Sequence, residues 1–362
     1  MNSRIQKLQK QLKIKKISAL FVTNAYNVRY LSGFVGSNGS LLITPKKHVL
    51  ITDARYFVTA KKAGVPYHDQ NKGLKSLISH AETLGFEAEA MTVAQLKQYK
   101  KMTPGVKWKA VSGMVEGLRI IKDEREIATI KKACQIAVKS LKQLLPKLKI
   151  GMSEDEVEWE LLKLARENGA DGFSFPPIIT FGKDTADIHH QKGPNELKKG
   201  DMILIDSGII YQGYITDMTR VFFYQEAKNT EQNSYTKYEQ KKCSTFEQEI
   251  YSIVKEAHQK AIDSIRVGMK FSELDQVARG VIEAAGYGKY FTHSTGHGTG
   301  LEVHEPPWVS KKSTDAIQPG MVFTIEPGIY VEGKGGVRIE DMVYVNLSGE
   351  VEVLTVYTPF PL

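Results

Sequence analysis

The hydrophobic pattern of this chain falls into two unlike stretches that meet near residue 122. In the first, Ile5, Leu8 and Leu12 share one helical face, and residues 19–23 form a short apolar run of strand character. Residues 40–44 and 48–53 read as two more strands joined by Pro45-Lys46-Lys47. Residues 54–63 have helical spacing and stop at Gly64, and shorter pieces follow at 74–84 and 94–100. This alternation predicts an α/β domain over residues 1–122. From Asp123 the text changes. Ile127, Ile130, Cys134, Ala137, Leu141 and Leu144 carry a long helical period, which opens a second domain over residues 123–362.

The second domain echoes itself. Gly151-Met152-Ser153 leads into a helix that ends near Gly169, and Gly268-Met269-Lys270 leads into one that ends near Gly286, an equal interval. Ser153 and Glu156 form a capping-box pattern at the first of these. Further on, Gly200-Asp201-Met202-Ile203-Leu204-Ile205-Asp206-Ser207-Gly208 resembles Gly320-Met321-Val322-Phe323-Thr324-Ile325-Glu326-Pro327-Gly328, with Asp206 opposite Glu326. Two related halves are expected, each a helix followed by a strand pair. Between them, residues 226–248 are polar and read as a surface loop with frayed helix.

Composition adds bounds. A chain of 362 residues is too long for one ordinary core, which agrees with two domains. The 41% apolar and 25% charged fractions fit a globular protein. No apolar run approaches the ~18 residues needed to span a membrane, and the basic start, Met1 to Lys7, has no signal-peptide core behind it. Cys134 and Cys243 form no disulfide framework or zinc spacing, so a reducing cytoplasm is the expected setting. The net charge of +8 comes from scattered lysine doublets with no basic stripe, which argues against a nucleic-acid partner.

Four carboxylates interrupt the apolar, strand-like text of the second domain: Asp206, Asp217, Glu326 and Glu340. A carboxylate is costly to bury unless something neutralises it. With His297 between the two pairs, the set suggests a shared partner, a pair of divalent metal ions. If Tyr211-Gln212 is the turn between strands at 202–210 and 213–223, Asp206 stands directly across from Asp217, with Cβ atoms about 5 Å apart. In the second half, strands at 321–326 and 337–345 bring Glu326 and Glu340 together in the same way. Arg338, two residues before Glu340, shares its face. Four oxygen ligands and one imidazole suit manganese, cobalt, iron or zinc.

The glycines flanking His297 allow close backbone approach to a metal or substrate. His293, His297 and His304 fall within twelve residues, a density that points to chemistry. Two metals sharing carboxylates hold a bridging water, lower its pKa to give a hydroxide nucleophile and polarise a carbonyl. Hydrolysis of an amide or ester is the chemistry expected. His48, His68 and His80 stand alone in the first domain and read as structural or exposed.

These residues resemble the pita-bread metallopeptidases, the family of aminopeptidase P, prolidase and methionine aminopeptidase. The matching pieces are Ile205-Asp206-Ser207-Gly208, Thr216-Asp217-Met218-Thr219-Arg220, Gly296-His297-Gly298-Thr299-Gly300-Leu301-Glu302-Val303-His304-Glu305, Ile325-Glu326-Pro327-Gly328 and Val337-Arg338-Ile339-Glu340-Asp341. Asn27-Val28-Arg29-Tyr30-Leu31-Ser32-Gly33-Phe34 and Ile51-Thr52-Asp53-Ala54-Arg55-Tyr56 look like the N-terminal domain of the proline-specific branch. The resemblance implies an α/β N-terminal domain followed by an α+β pita-bread catalytic domain with duplicated halves of helix and antiparallel strands. It implies two metal ions, manganese foremost and cobalt or zinc as alternatives, held by Asp206, Asp217, His297, Glu326 and Glu340, with Asp217 and Glu340 bridging. It implies that Glu326 shuttles the proton, that His189, His293 and His304 line the substrate site, and that Arg338 organises the carboxylates.

The implied activity is that of a Xaa-Pro aminopeptidase, acting on peptides with proline at the second position, with Xaa-Pro dipeptidase (prolidase) as the alternative. A homodimer is implied as well. One departure is Ile188, where the family usually carries proline before the pair matching His189-His190. The polar insert after Phe223 is another. Non-catalytic peptide-binding relatives and metal-independent creatinase-like hydrolases lack the ligand set that this chain keeps.

Overall fold

Residues 19–22 carry only apolar side chains, and all four are buried. A strand buried on both faces belongs at the centre of a sheet. In the structure, a computed structural model that describes residues 3–78, 82–224 and 245–357, β1 (Ala19–Val22) takes that place. With β2 (Ser40–Ile43), β3 (His48–Thr52), β4 (Tyr67–Asp69), β5 (Thr83–Glu87) and β6 (Lys107–Val111) it forms a six-stranded sheet in the order β4-β3-β2-β1-β5-β6. β1 runs antiparallel to β2 and parallel to β5, so the sheet is mixed. Helices α1 (Ser3–Ile14), α2 (Ala25–Ser32), α3 (Phe57–Lys62), α4 (Val93–Met102) and α5 (Glu116–Arg119) complete a compact unit, Met1–Arg119. α1 buries the expected face of Ile5, Leu8 and Leu12. His68 Nε2 lies 2.8 Å from the Gly73 carbonyl, a local tie. His80 lies outside the described residues.

The second unit, Ile120–Leu362, opens with α6 (Glu124–Leu144). Asp123 caps it by accepting from the Glu126 N–H, while the Glu126 side chain accepts from the Asp123 N–H. α7 (Glu154–Glu167) carries the capping box expected of Ser153 and Glu156. The first-half strands are β7 (Gly172–Phe173), β8 (Ile178–Phe181), β9 (Met202–Ser207), β10 (Ile209–Tyr211), β11 (Tyr214–Ile215) and β12 (Met218–Phe223). The second half has α8 (Thr245–Ser264) and α9 (Phe271–Ala284), then β13 (Gly296–Gly298), β14 (Glu305–Val309), β15 (Val322–Ile325), β16 (Gly328–Val331), β17 (Gly335–Arg338), β18 (Asp341–Val345) and β19 (Val351–Val353). Residues 225–244, most of the polar insert, lie outside the described residues, and residues 245–248 open α8. No described helix is long and apolar enough to cross a membrane.

The internal echo of the sequence is a repeated backbone arrangement. α7 and α9 are each 14 residues long. The Gly151 N–H donates to the Leu197 carbonyl and the Gly268 N–H to the Ile317 carbonyl, both at 2.9 Å. The return bonds, Leu197 to Met152 and Ile317 to Met269, repeat as well. Both glycines sit at φ +85°, a conformation that side chains with a Cβ rarely adopt. Each half has its own apolar core under its helices. A third cluster joins them: Met202, Leu204 and Val221 meet Ile250, Val254, Ile329 and Val337.

This backbone assignment makes two glycines respond oppositely to the same change. Gly268→Ala forces a Cβ into left-handed backbone and should cost about 1 kcal/mol. Gly280 lies inside α9, and the nearest atom to an added Cβ is Gln276 Nε2 at 3.8 Å, so Gly280→Ala should stabilise by about 1 kcal/mol. Denaturant unfolding followed by circular dichroism measures both, and equal signs would contradict the assignment.

Candidate metal centre

The five expected ligands come from both halves: Asp217, Glu326 and Glu340 lie between strands, whereas Asp206 is paired within β9 and His297 within β13. The register differs from the expected one. The hairpin turn is Gln212-Gly213, at φ +49° and +79°, because Ile210 pairs with Ile215 and Tyr211 with Tyr214. That moves the turn by one residue and the pairing by two, so Asp206 stands opposite Thr219 and not opposite Asp217. Asp217 is therefore a diagonal neighbour of Asp206 on the same face. The expected strand over 213–223 is also broken. Thr216 and Asp217 sit between β11 and β12, and a Cβ at Gly208 would collide with the Thr216 carbonyl.

In the second half the expected facing holds. Ile325 pairs with Asp341 and Gly328 with Arg338, a register that puts Glu326 across from Glu340. The strand β16 was not expected, because Glu326-Pro327-Gly328 reads as an end and not as a crossing between two ladders. The glycines beside His297 serve another purpose than the one expected. A Cβ at Gly296 would strike the Thr324 carbonyl, and one at Gly298 the Pro306 carbonyl. The close approach is to neighbouring strands, and it seats the histidine between them.

Ligand-type atoms of Asp217, His297 and Glu340 all lie within 4.8 Å of one another, and all three residues are buried. His297 Nε2 is 3.2 Å from Glu326 Oε1 and 3.7 Å from Asp217 Oδ2. Asp206 Oδ2 accepts from Arg338 at 2.6 Å, while its Oδ1 is buried with no hydrogen-bond partner among the described residues. Arg338 also donates to Thr219 Oγ1 at 3.0 Å and to the Tyr330 hydroxyl at 2.9 Å. Thr219 Oγ1 in turn donates to Glu340 Oε2 at 2.7 Å. Thr324 Oγ1 accepts from the His297 N–H and reaches Glu326 Oε1 at 3.3 Å. The Asp217 N–H points at the Met342 sulfur, 3.3 Å away.

The remaining histidines separate by environment. His293 Nε2 is 2.9 Å from the Tyr330 hydroxyl, and the His304 ring lies 4.4 Å from that of His297. His293 is fixed from behind. The buried ion pair Asp275–Arg279 on α9 has its guanidinium on the Phe291 and His293 carbonyls and its carboxylate on Thr295. His190 is tied to buried Glu154 at 2.8 Å, whereas His189 is exposed; burial first, and then the charge of His297, lowers His304. Tyr330, Thr219, Thr324 and the Asp275–Arg279 pair were not singled out from sequence. Thr219 lies two residues past Asp217 on one strand face, a spacing that could have flagged it.

Burial pushes Asp217 well above the ordinary carboxylate range, and the charges of Asp206 and Glu326 add to it. Glu340 is raised in the same way, by burial first and then by its three acidic neighbours. Burial alone would lower His297, but the hydrogen bond and charge of Glu326 and the charge of Asp217 hold it at about 9. Burial would raise Glu326, yet His297 brings it down to about 2. Such a crowd of buried acids is stable only with protons or cations in it. The oxygen-rich donor set and the orphaned Asp206 Oδ1 fit divalent ions.

A cation entering here must displace protons. At pH 7, below about 9, His297 is protonated, and Asp217 and Glu340 are raised too. Metal ligation needs all three deprotonated, so affinity should rise with pH up to about 9 and protons should be released. Calorimetric titration with Mn²⁺ at pH 7 in buffers of different ionisation enthalpy measures this. The same apparent enthalpy in every buffer would rule it out.

Comparison with known proteins agrees with this geometry. Residues 128–346 match the model of metallopeptidase family M24, and residues 4–121 match the creatinase/prolidase N-terminal domain. A Xaa-Pro dipeptidase of Pyrococcus horikoshii is 34% identical over 361 residues, covering 96% of each chain. The structure of a Xaa-Pro dipeptidase from Bacillus anthracis superposes with a TM-score of 0.89 at 34% identity, covering 99% of this chain and 98% of the other. An X-Pro aminopeptidase from Thermotoga maritima gives 0.86 at 32% identity and covers 97% of each. With an N-terminal creatinase/prolidase domain ahead of a pita-bread domain, the chain belongs to metallopeptidase family M24.

Proposed function

We propose that this protein is a Xaa-Pro dipeptidase that requires two divalent metal ions, manganese foremost. The observation that carries the reading is the buried cluster of Asp217, His297 and Glu340, flanked by Asp206 and Glu326, in a chain similar over 96% of its length to a Xaa-Pro dipeptidase. The sequence motifs put the aminopeptidase first. The relatives weigh the other way: the curated dipeptidases of two Pyrococcus species are 34% and 32% identical to it. The aminopeptidase remains the second reading, favoured by the Thermotoga maritima structure. A homodimer rests on the family resemblance, and a cytoplasmic location on the cysteine usage, Cys134 and Cys243.

A Xaa-Pro bond is a tertiary amide on a fixed ring, so it needs both a strong nucleophile and a positioned leaving nitrogen. In this reading the ions are held by Asp206, Asp217, His297, Glu326 and Glu340. When bound, they supply a nucleophile from water near neutral pH and draw charge from the scissile carbonyl. In this reading Glu326 accepts the proton released by the attacking water and passes it to the leaving proline nitrogen. His304 and His293 face the negative charge that develops on the carbonyl oxygen, with His189 at the exposed side. Arg338 keeps Asp206, Thr219 and Tyr330 in place, and through Thr219 it also steadies Glu340.

Hydrolysis of a Xaa-Pro dipeptide and of the matching Xaa-Pro-Yaa tripeptide, each with apo protein and with Mn²⁺, Co²⁺ and Zn²⁺, separates the readings. The dipeptide alone should turn over; efficient cleavage of the tripeptide would assign the aminopeptidase. In the same assay Asp217→Asn should abolish turnover while the circular dichroism spectrum stays parental. Undiminished activity would remove Asp217 from the site.

A further inference from the structure

The loop between His297 and His304 is wrapped around a buried ion pair. Lys122 Nζ donates to Glu305 Oε1 at 3.0 Å, and the two side chains are only 1% and 3% exposed. Two charges so deeply buried gain little stability over a well-packed apolar pair, so their worth lies in the geometry they impose. Lys122 itself is fixed: its N–H donates to the Gly320 carbonyl at 2.9 Å, and Ile121 bridges Met321. Those two residues lead into β15, which ends beside Glu326.

The other end of the pair reaches the site from two sides. Glu305 directly follows His304 in the chain and pairs in register with Gly298, which directly follows His297. The ladder shifts register between His297 and Gly298, so the position of Glu305 decides where that bulge falls. Glu305 Oε2 also accepts from the Glu302 N–H at 3.4 Å. Gly300 packs onto the pair so tightly that a Cβ there would lie 2.6 Å from Glu305 Oε1 and 3.3 Å from Lys122 Cε.

We propose that Lys122 is a positioning residue of the catalytic centre: through Glu305 it sets the loop of residues 299–305 and thereby the placement of His304 against His297. This rests on the reading of His297 as a metal ligand and His304 as a substrate-facing group. The effect is expected in the transition state more than in substrate binding, because His304 acts on charge that develops during reaction.

The test uses two variants of the full chain. Lys122→Met/Glu305→Leu removes both charges together, so no lone charge is left buried. Gly300→Ala keeps the charges and pushes on them. Both should remain folded, with kcat on a Xaa-Pro dipeptide lowered about tenfold or more and KM changed less than about threefold. The visible absorption bands of the Co²⁺-loaded variants should shift from the parental ones, because His297 adjoins the displaced bulge. Should the double variant unfold, Gly300→Ala alone decides. Parental kcat and parental cobalt bands in folded variants would overturn the proposal. A parent that cleaves no Xaa-Pro peptide would sink the dipeptidase reading instead, and the cobalt bands would still decide the role of Lys122: shifted bands sustain it, unchanged bands end it.

Discussion

Four acidic side chains and an imidazole share one largely buried space in this protein, and their mutual repulsion is the constraint that the surrounding structure answers. Two of the carboxylates, Asp217 and Glu340, are pushed well above their ordinary range by burial and by their acidic neighbours. Arg338 offsets part of this from below, with one guanidinium shared between Asp206, Thr219 and Tyr330. It cannot offset all of it, since Asp206 Oδ1 has no hydrogen-bond partner among the described residues. A site that tolerates such a crowd without cations would be a poor bargain for stability, and the donor types are those of a hard or borderline divalent ion.

The duplicated architecture explains how the crowd forms. Three of the four acids lie where the chain leaves one strand ladder and enters the next. Asp217 lies between β11 and β12, Glu326 between β15 and β16, and Glu340 between β17 and β18. At such breaks a side chain can turn toward the facing half without losing a ladder partner of its own. The halves are then stitched at these points, with the Glu340 N–H donating to the Thr219 carbonyl at 3.2 Å. Around this seam lie ties that leave the ligand side-chain atoms themselves untouched. The Asp275–Arg279 pair holds the segment that carries His293, and Arg220 reaches the Thr219 and Glu340 carbonyls together with Asp341. A metal centre keeps its geometry through such outer contacts.

Much of this was legible in the sequence, and for physical reasons. Burying a carboxylate is so unfavourable that Asp206, Asp217, Glu326 and Glu340 stand out at once against the apolar strands around them. Equal glycine spacing betrayed the repeat because a left-handed residue must recur wherever the same turn recurs. What escaped was neutral or distant. Tyr330 and Thr219 are ordinary strand residues until their hydroxyls are seen between charged groups. Lys122 and Glu305 lie 183 positions apart, and neither looks unusual alone.

The chain alone therefore pointed to two domains, repeated halves and five candidate metal-type residues, because each reading follows from local cost: of burial, of backbone conformation, of charge. Tertiary structure decided the rest. It moved the turn of the first hairpin by one residue and its pairing by two, set Asp206 opposite Thr219, and made the glycines beside His297 spacers between strands. It also told His190, tied to Glu154, apart from the exposed His189. Register and side-chain partners depend on what lies across the sheet, and residues far apart in sequence carry no mark of one another.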